Sequence, residues 1–418
     1  MENTLPDGWR RLPLKRLMVP RKDSVQPADV PDARYVGLEH LSSGQPDLTR
    51  WGDIGTVRST KSRFYEGDVL YGKLRPYLDK AALASFDGVC STDILVFEPS
   101  PETTARYLSY LLHTWDVLQH AKDTTRGTNH PRTKWSSLAT LELPVPSLEH
   151  QTAISEILGM IRESVESRRF ELEIEQEMKS ALTDQLIHRG TRGRETKEEK
   201  QGQIPANWKV EKLNTVADVQ TGVTKGRKVT PEEGVEVPYL RVANVQDGYL
   251  DLTEIKTITI RENELDRFSL LPGDVLMTEG GDIDKLGRGF IWRGQIDPCI
   301  HQNHVFAVRP HPSVVAPEFL AYFVQSSWAK GYFLSVGHRT TNLASINSTK
   351  LKALPTVVPP MEEQREIVDV LLLCDEKINA LASEIELHEE LFQALLEELT
   401  TGQRSALPLL ETRPGVAA

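Results

Sequence analysis

Six short stretches concentrate side chains suited to hydrogen-bonding phosphates and base edges. In the first half they are RSTKSR (Arg58, Lys61, Arg63), GKLRP (Lys73, Arg75) and TTRGTNHPRTK (Arg126, Asn129, His130, Arg132, Lys134). In the second half they are TKGRK (Lys225, Arg227, Lys228), DKLGR (Lys285, Arg288) and GHRTTN (Arg339, Asn342). Arg and Lys complement phosphate oxygens and the guanine edge, while Asn complements adenine, so such clusters in glycine-containing loops offer a polyanion-reading surface. Taken one at a time, each is also an ordinary solvated surface charge.

Patterns for bond-making chemistry are missing. There is no GxxxxGK[ST] phosphate loop, and the glycine-rich EGGDIDKLGRG (279–289) lacks its spacing and reads as a loop or hairpin turn. No [DN]PP[YF] amino-methyltransferase signature occurs, because VPP at 358–360 has no Asp or Asn before it. DLTEIK (251–256) only loosely imitates a metal-nuclease D...ExK, and no HExxH is found among the 11 histidines. Cys90, Cys299 and Cys374 form no CxxC pair or zinc-spaced cluster. The expectation is a chain with no catalytic site, no metal and no cofactor of its own.

The charge is uneven. The formal net charge is −11, which by itself argues against a nucleic-acid partner. Yet residues 1–145 hold 19 basic and 18 acidic side chains and residues 201–355 hold 17 of each. The acidity gathers in 146–200, with 9 basic and 12 acidic, and above all in 356–418, with 4 and 13. The two large segments are therefore near neutral and free to carry local basic patches. A length of 418 residues exceeds one ordinary core. No apolar run reaches the roughly 18–20 residues of a membrane span, and MENTLPDGWRRLPL lacks a signal-peptide core, so a cytoplasmic location is expected.

The elements that must position the clusters are written twice. LPDGWRRLPLKRL (5–17) returns as IPANWKVEKLNTV (204–216), with Trp9 on Trp208; YVGLEHLSSG (35–44) returns as YLRVANVQDG (239–248). FYEGDVLYGKLRP (64–76) returns as SLLPGDVLMTEGG (269–281), Cys90 aligns with Cys299, and TNHPRTKWSSLATLELP (128–144) matches TNLASINSTKLKALPTV (341–357). PVPSLEHQTAISEIL (144–158) then matches VVPPMEEQREIVDVL (357–371). The offset rises from 199 to 206, 209 and 213, so loop insertions accumulate in the second copy.

Within each copy, GDVLYGKL, TDILVFEP, GDVLMTEG and HVFAVRP read as strands, whereas 104–121 and 316–333 carry apolar residues at three and four spacing and read as amphipathic helices. Each large segment is thus α+β. The stretches after the Pro pairs differ in kind. Ile367, Leu371, Cys374, Ile378, Leu381, Ile385, His388, Phe392, Leu395 and Leu399 form a coiled-coil seam. The first copy keeps Ile154, Leu158, Ile161, Val165, Leu172, Leu182 and Leu186 but inserts Arg168, Glu175 and Lys179, which set register and partner or mark a drifting apolar face. A helix over 149–188 would be roughly 60 Å long at about 1.5 Å per residue. Antiparallel packing of two such helices would relate the copies by a pseudo-twofold axis. The expected boundaries are 1–145 and 201–355 for the globular domains, 146–200 for the first helix with its linker, and 356–418 for the second helix with its tail.

The order domain, helix, domain, helix, with YLRVANV, GDVLMTEGG and VPPMEEQREIV, resembles the DNA specificity subunit (S subunit) of type I restriction-modification systems over essentially the whole chain. The resemblance implies two target recognition domains, each reading one half of an asymmetric bipartite site in double-stranded DNA, separated by spacer helices. It implies docking of two methyltransferase subunits, which use S-adenosylmethionine, and of restriction-translocase subunits, which use ATP and magnesium. The sequence departs from the family's usual EQ in the first copy, where His150 stands opposite Glu363. Alternatives are a stand-alone DNA-binding or coiled-coil interaction protein, or a nuclease with an unrecognised site.

Overall fold

The two GDVL stretches become the central strands of equivalent sheets, because alternating Val, Leu and aromatic residues can bury both faces of a short strand. The computed structural model describes residues 5–411 apart from 126–128, 227–228, 230–233, 282–285 and 340–343. The chain divides into two units, residues 1–169 with 383–418 and residues 170–382.

In unit 1 a four-stranded antiparallel sheet runs in the order Met18–Pro20, Ile94–Pro99, Val69–Gly72, Ala81–Leu83. A five-stranded sheet orders Ser24–Val25, Lys61–Phe64, Gly88–Cys90, Arg34–Val36 and Gly52–Asp53, with Arg34–Val36 parallel to Gly88–Cys90. Strand Arg10–Pro13 pairs with Glu142–Val145, so the start of the domain is tied to the residues that enter the first long helix.

Unit 2 repeats this plan. Its four-stranded sheet runs Ala217–Thr221, Val305–Pro310, Val275–Thr278, Gly289–Ile291, and strand Lys209–Lys212 pairs with Pro355–Val358. The counterpart of the five-stranded sheet keeps Val235–Leu240 between Lys256–Ile260 and the parallel Ile300–His301. Here the structure corrects one sequence pairing. Val36 pairs with Cys90, and its equivalent Leu240 pairs with His301, so Cys90 occupies the position of His301 and not that of Cys299. Matching the identical residue placed the second strand two residues out of register, because the insertion before it is five residues long by the time the strand begins.

Both units are cored where short helices meet the long ones. In unit 1, Tyr110, Leu111 and Val117 share a cluster with Ile154, Leu158, Phe392, Leu395 and Leu399. In unit 2, Phe319, Phe323 and Trp328 share one with Leu186, Ile187, Ile367 and Leu371. Each fully buried Leu or Ile here contributes roughly 1.5–3 kcal/mol from apolar burial. Helices Leu148–Arg189 and Met361–Thr401 are continuous, and each passes from one unit to the other.

Within each unit the helix segments pack antiparallel. In unit 1 Ser164 meets His388 and Arg168 meets Glu384; in unit 2 Glu175 meets Lys377 and Lys179 meets Asp375, so one helix advances as the other recedes. The polar seam residues thus find opposite charges: Arg168 to Glu384 is 3.0 Å and Lys179 to Asp375 is 2.5 Å. Glu175 is 6 % exposed and pairs with Lys377. Of the apolar seam, Ile154, Leu158, Val165, Ile367, Leu371, Leu381, Ile385 and Leu395 are buried, and Ile161, Leu172 and Ile378 are half-buried.

The repeated helix start owes its glutamine to backbone geometry. Gln151 Oε1 accepts from Thr103 Oγ1 at 3.0 Å and the Thr104 amide at 2.9 Å, and its Nε2 donates to the Glu102 and Pro146 carbonyls at 2.9 and 3.1 Å. Gln364 accepts from the Ala316 amide at 2.8 Å and donates to the Val314 and Pro359 carbonyls, both at 2.9 Å. Both glutamines are 0 % exposed, and Thr104 and Ala316 are the N-cap residues of Ala105–Leu111 and Pro317–Phe323. One amide therefore locks two helix starts together in each unit, satisfying groups that the helices leave open. The neighbouring position differs. Glu363 is buried and accepts from Trp208 Nε1 at 2.9 Å, whereas His150, half-buried in the first turn of Leu148–Arg189, faces Ser147 Oγ at 3.0 Å.

Candidate nucleic-acid interface

Two of the basic stretches of unit 1 are brought together by the chain. Leu74 forms a β-bridge with Arg132, the Arg75 amide donates to the Pro131 carbonyl at 2.8 Å, and the Thr133 amide donates to Lys73 at 3.0 Å. This joins Lys73 and Arg75 to Asn129, His130, Arg132 and Lys134. Arg132 binds Asp93 through Nε and Nη2 at 2.9 and 3.2 Å, and that contact holds the Asp93 carboxyl below its ordinary range. Arg132 is thereby a braced side chain, whereas Arg75, Asn129, His130 and Lys134 are exposed.

The third stretch lies on another strand and is mixed. Arg58 is exposed and Arg63 is half-buried, but Lys61 is only 5 % exposed and donates to Ser59 O and Oγ at 2.8 and 2.7 Å. Lys61 therefore serves a local turn. Arg126 lies outside the described residues.

Unit 2 builds the same junction from the equivalent loops. Gly280–Gly281 pairs with Ala344–Ser345, which pairs with His338–Arg339, and the Ile346 amide donates to Glu279 at 2.8 Å as Thr133 does to Lys73. The junction is shared but one charge is reversed: Glu279 stands where Lys73 stands, and it bonds His304 Nδ1 at 2.5 Å. Arg288 donates to Gln246 Oε1 at 3.0 Å, and Lys225 is exposed with Nζ 5.8 Å from the Tyr239 ring centroid. Arg227, Lys228, Lys285 and Asn342 lie outside the described residues, as does the side chain of Arg339. Among the described residues no group of three or more His, Cys, Asp and Glu side chains could hold a metal ion, and no helix is long and apolar enough to cross a membrane.

Sequence reasoning missed the residues that fix the turn entering each GDVL strand. The Asp of each GDVL is buried, Asp68 and Asp274 both being 1 % exposed. Asp274 accepts from Arg309 at 2.7 and 2.8 Å and from the Leu271 amide at 2.8 Å; Asp68 accepts from Arg21 at 2.9 and 2.7 Å and from the Tyr65 amide at 2.8 Å. The arginine comes from non-equivalent positions, Arg21 just after the strand Met18–Pro20 and Arg309 within Val305–Pro310, which conceals the pairing from any alignment. Burial also acts on the aligned pair Cys90 and His301: the thiol is pushed up to about 12, and the imidazole is pushed down to about 4.

His301 Nδ1 donates to the Val305 carbonyl at 2.6 Å and Nε2 has no partner among the described residues, so the ring is held neutral. An unfolded histidine titrates near 6.5. Its folded value is depressed, so the stability it confers is whole above about 6.5 and is lost as pH falls toward about 4. The full loss is about 3 kcal/mol at 1.36 kcal/mol per pH unit. Urea titrations of the wild type and His301→Gln should show a steeper acid decline in the wild type; parallel curves would refute this.

The sequence pattern of the family described as type I restriction modification DNA specificity domain matches residues 18–176 and again 205–389. The chain belongs to this family. Its curated relatives include a putative type I restriction enzyme MjaX specificity subunit from Methanocaldococcus jannaschii, 26 % identical over 202 residues, covering 48 % of this chain and 47 % of the relative. The EcoKI specificity subunit from Escherichia coli strain K12 is 25 % identical over 245 residues, covering 58 % and 52 %. The matched region spans about half the length of these relatives.

Two solved structures share the fold of this specificity-domain chain. One, from work on complex assembly and conformational transition of the type I R-M system, superposes with a TM-score of 0.63 at 19 % identity over 96 % of this chain and 100 % of the other. The type I restriction-modification S subunit from M. genitalium gives 0.50 at 15 % identity, over 96 % and 97 %. The α+β plan with two tandem domains and two long helices is thus that of the family.

Proposed function

We propose that this chain is the sequence-reading subunit of a type I restriction-modification complex, recognising an asymmetric bipartite site in double-stranded DNA. The observation that carries the reading is the repeated loop junction with different side chains: one backbone frame, Lys73 in unit 1 and Glu279 in unit 2. A common frame with different side chains, one of them reversed in charge, suits two different half-sites. The backbone-facing cations would position the duplex, and the exposed polar side chains would discriminate bases.

The chain is also a scaffold in this reading. Each unit exposes the same trio of large apolar side chains on the long helices: Met160, Leu387 and Leu391 in unit 1, and Leu373, Ile174 and Met178 in unit 2, related by the 213-residue offset. Exposed apolar residues repeated in this way mark contact surface for a partner that binds twice. Two methyltransferase subunits would dock there and bring S-adenosylmethionine; restriction-translocase subunits would join with ATP and magnesium.

Replacing residues 1–145 with the same region of a relative should change one half of the methylated sequence and leave the other half intact. Genome-wide mapping of methylated adenines reads this directly. An unchanged motif would reject DNA reading by unit 1, and cleavage of DNA by the purified chain with magnesium alone would favour a nuclease.

A further inference from the structure

Only two non-glycine residues among those described adopt left-handed backbone, Arg75 (φ +51°) and Asp79 (φ +48°). They bracket a single turn of 3-10 helix, Pro76–Leu78. A residue with a Cβ pays for this conformation, so it persists only where the surroundings fix it.

The fixing contacts are numerous. Arg75 is held by the Pro131 carbonyl, the Leu78 and Asp79 amides close the turn onto Arg75 and Pro76 at 2.9 and 3.0 Å, and the Gly44 amide donates to Asp79 O at 2.8 Å. Below the turn, His113 is 6 % exposed and bonds the Asp79 carboxylate through Nδ1 at 2.8 Å and the Ala81 carbonyl through Nε2 at 3.1 Å. Pro76 is buried.

What this bracing holds outward is apolar and aromatic. Tyr77 is 51 % exposed and Leu78 is 39 % exposed, and they directly follow Arg75, whose amide is bonded to Pro131 in the segment that carries Asn129, His130 and Lys134. Neither Arg75 nor Lys134 has a carboxylate within ion-pair distance among the described residues. An exposed ring two residues from a cation without a carboxylate partner is suited to meet sugar-phosphate and base surfaces together. A turn fixed in advance loses little conformational freedom on binding.

We infer that the Arg75–Asp79 turn is a preorganised DNA-probing element of unit 1, with Tyr77 touching nucleotides of one half-site and Arg75 the adjoining phosphate. This rests on the proposed DNA-reading function. The equivalent of Arg75 in unit 2 is Gly281, so the element belongs to one half of the site.

The test uses the full chain assembled with its methyltransferase subunits and a pool of random-sequence duplexes. The wild-type complex should enrich a two-part motif. Tyr77→Ala should weaken enrichment of one part by about tenfold or more while the other part persists, and Tyr77→Phe should retain both. Arg75→Gly, which suits the backbone, should reduce the salt dependence of binding by about 0.9 in log-log slope. If Tyr77→Ala selects the same motif with both parts intact, or fails only in assembling with the other subunits, the inference falls. A wild-type complex without sequence preference would overturn the underlying reading, and the inference with it.

Discussion

Gln364→Leu should destabilise unit 2 by about 2–4 kcal/mol, because leucine takes the side-chain partner from the buried Pro359 carbonyl and from the part-buried Ala316 amide and Val314 carbonyl, at roughly 1–3 kcal/mol for a buried unsatisfied group. Leucine fills a similar volume, so the loss reports hydrogen bonding and not a cavity. Hydrogen exchange resolved by peptide should show faster opening at 314–320 and 359–368. Gln364→Glu should do at least as much harm, since it turns two donors into acceptors facing carbonyls and brings a charge into a site with 0 % exposure. The exposed neighbour Arg365→Ala is the control and should stay within about 0.5 kcal/mol. Gln151→Leu should produce the same effect in unit 1. A change below about 1 kcal/mol at both glutamines would mean that water replaces the amide.

Asp274→Ala should cost unit 2 about 3 kcal/mol. Removing one partner of a buried ion pair typically costs about 3–5 kcal/mol, and Arg309, whose side chain is 38 % exposed, moderates the loss by turning to solvent. The Leu271 amide, which donates to Asp274 at 2.8 Å, cannot escape in the same way. Asp274→Asn should recover part of the loss by restoring an acceptor for that amide. Chemical denaturation followed by tryptophan fluorescence is a suitable readout, because Trp292 lies fully buried in the same unit. If Arg309→Ala were as damaging as Asp274→Ala, the charge pair and not the backbone amide would dominate.

Much of the architecture was legible because long periods survive divergence. The seam from Ile367 to Leu399 and the repeated GDVL and TN stretches announce two helices and two similar domains without any knowledge of contacts. The five-stranded sheet was not legible in this way. Ser24–Val25 and Gly52–Asp53 are two residues each, too short to show alternation, and the parallel pairing of Val36 with Cys90 joins segments 54 residues apart.

The candidate interface was legible in composition but not in role. Nothing local separates Lys61, which is committed to Ser59, from Lys134, which is exposed. What takes Lys61 out of solvent is the pairing of its strand with Val25, a contact between segments 36 residues apart. Gln151 and Gln364 are likewise hidden: their spacing from the helix start is visible, but all their partners except Pro146 and Pro359 lie 47 to 50 residues away. Tyr77 carried no motif at all; only the backbone angles on either side of it mark the turn.

The passage of each long helix through both units has a consequence for synthesis. Unit 2 is one uninterrupted stretch, 170–382, and can close its core as soon as that stretch has left the ribosome. Unit 1 begins before that stretch and is completed after it: Phe392, Leu395, Leu396 and Leu399 belong to its core and are made only once 170–382 has been made. Until they emerge, the faces around Tyr110 and Leu158 stay uncovered, so the nascent chain must carry an unfinished first half behind a finished second one.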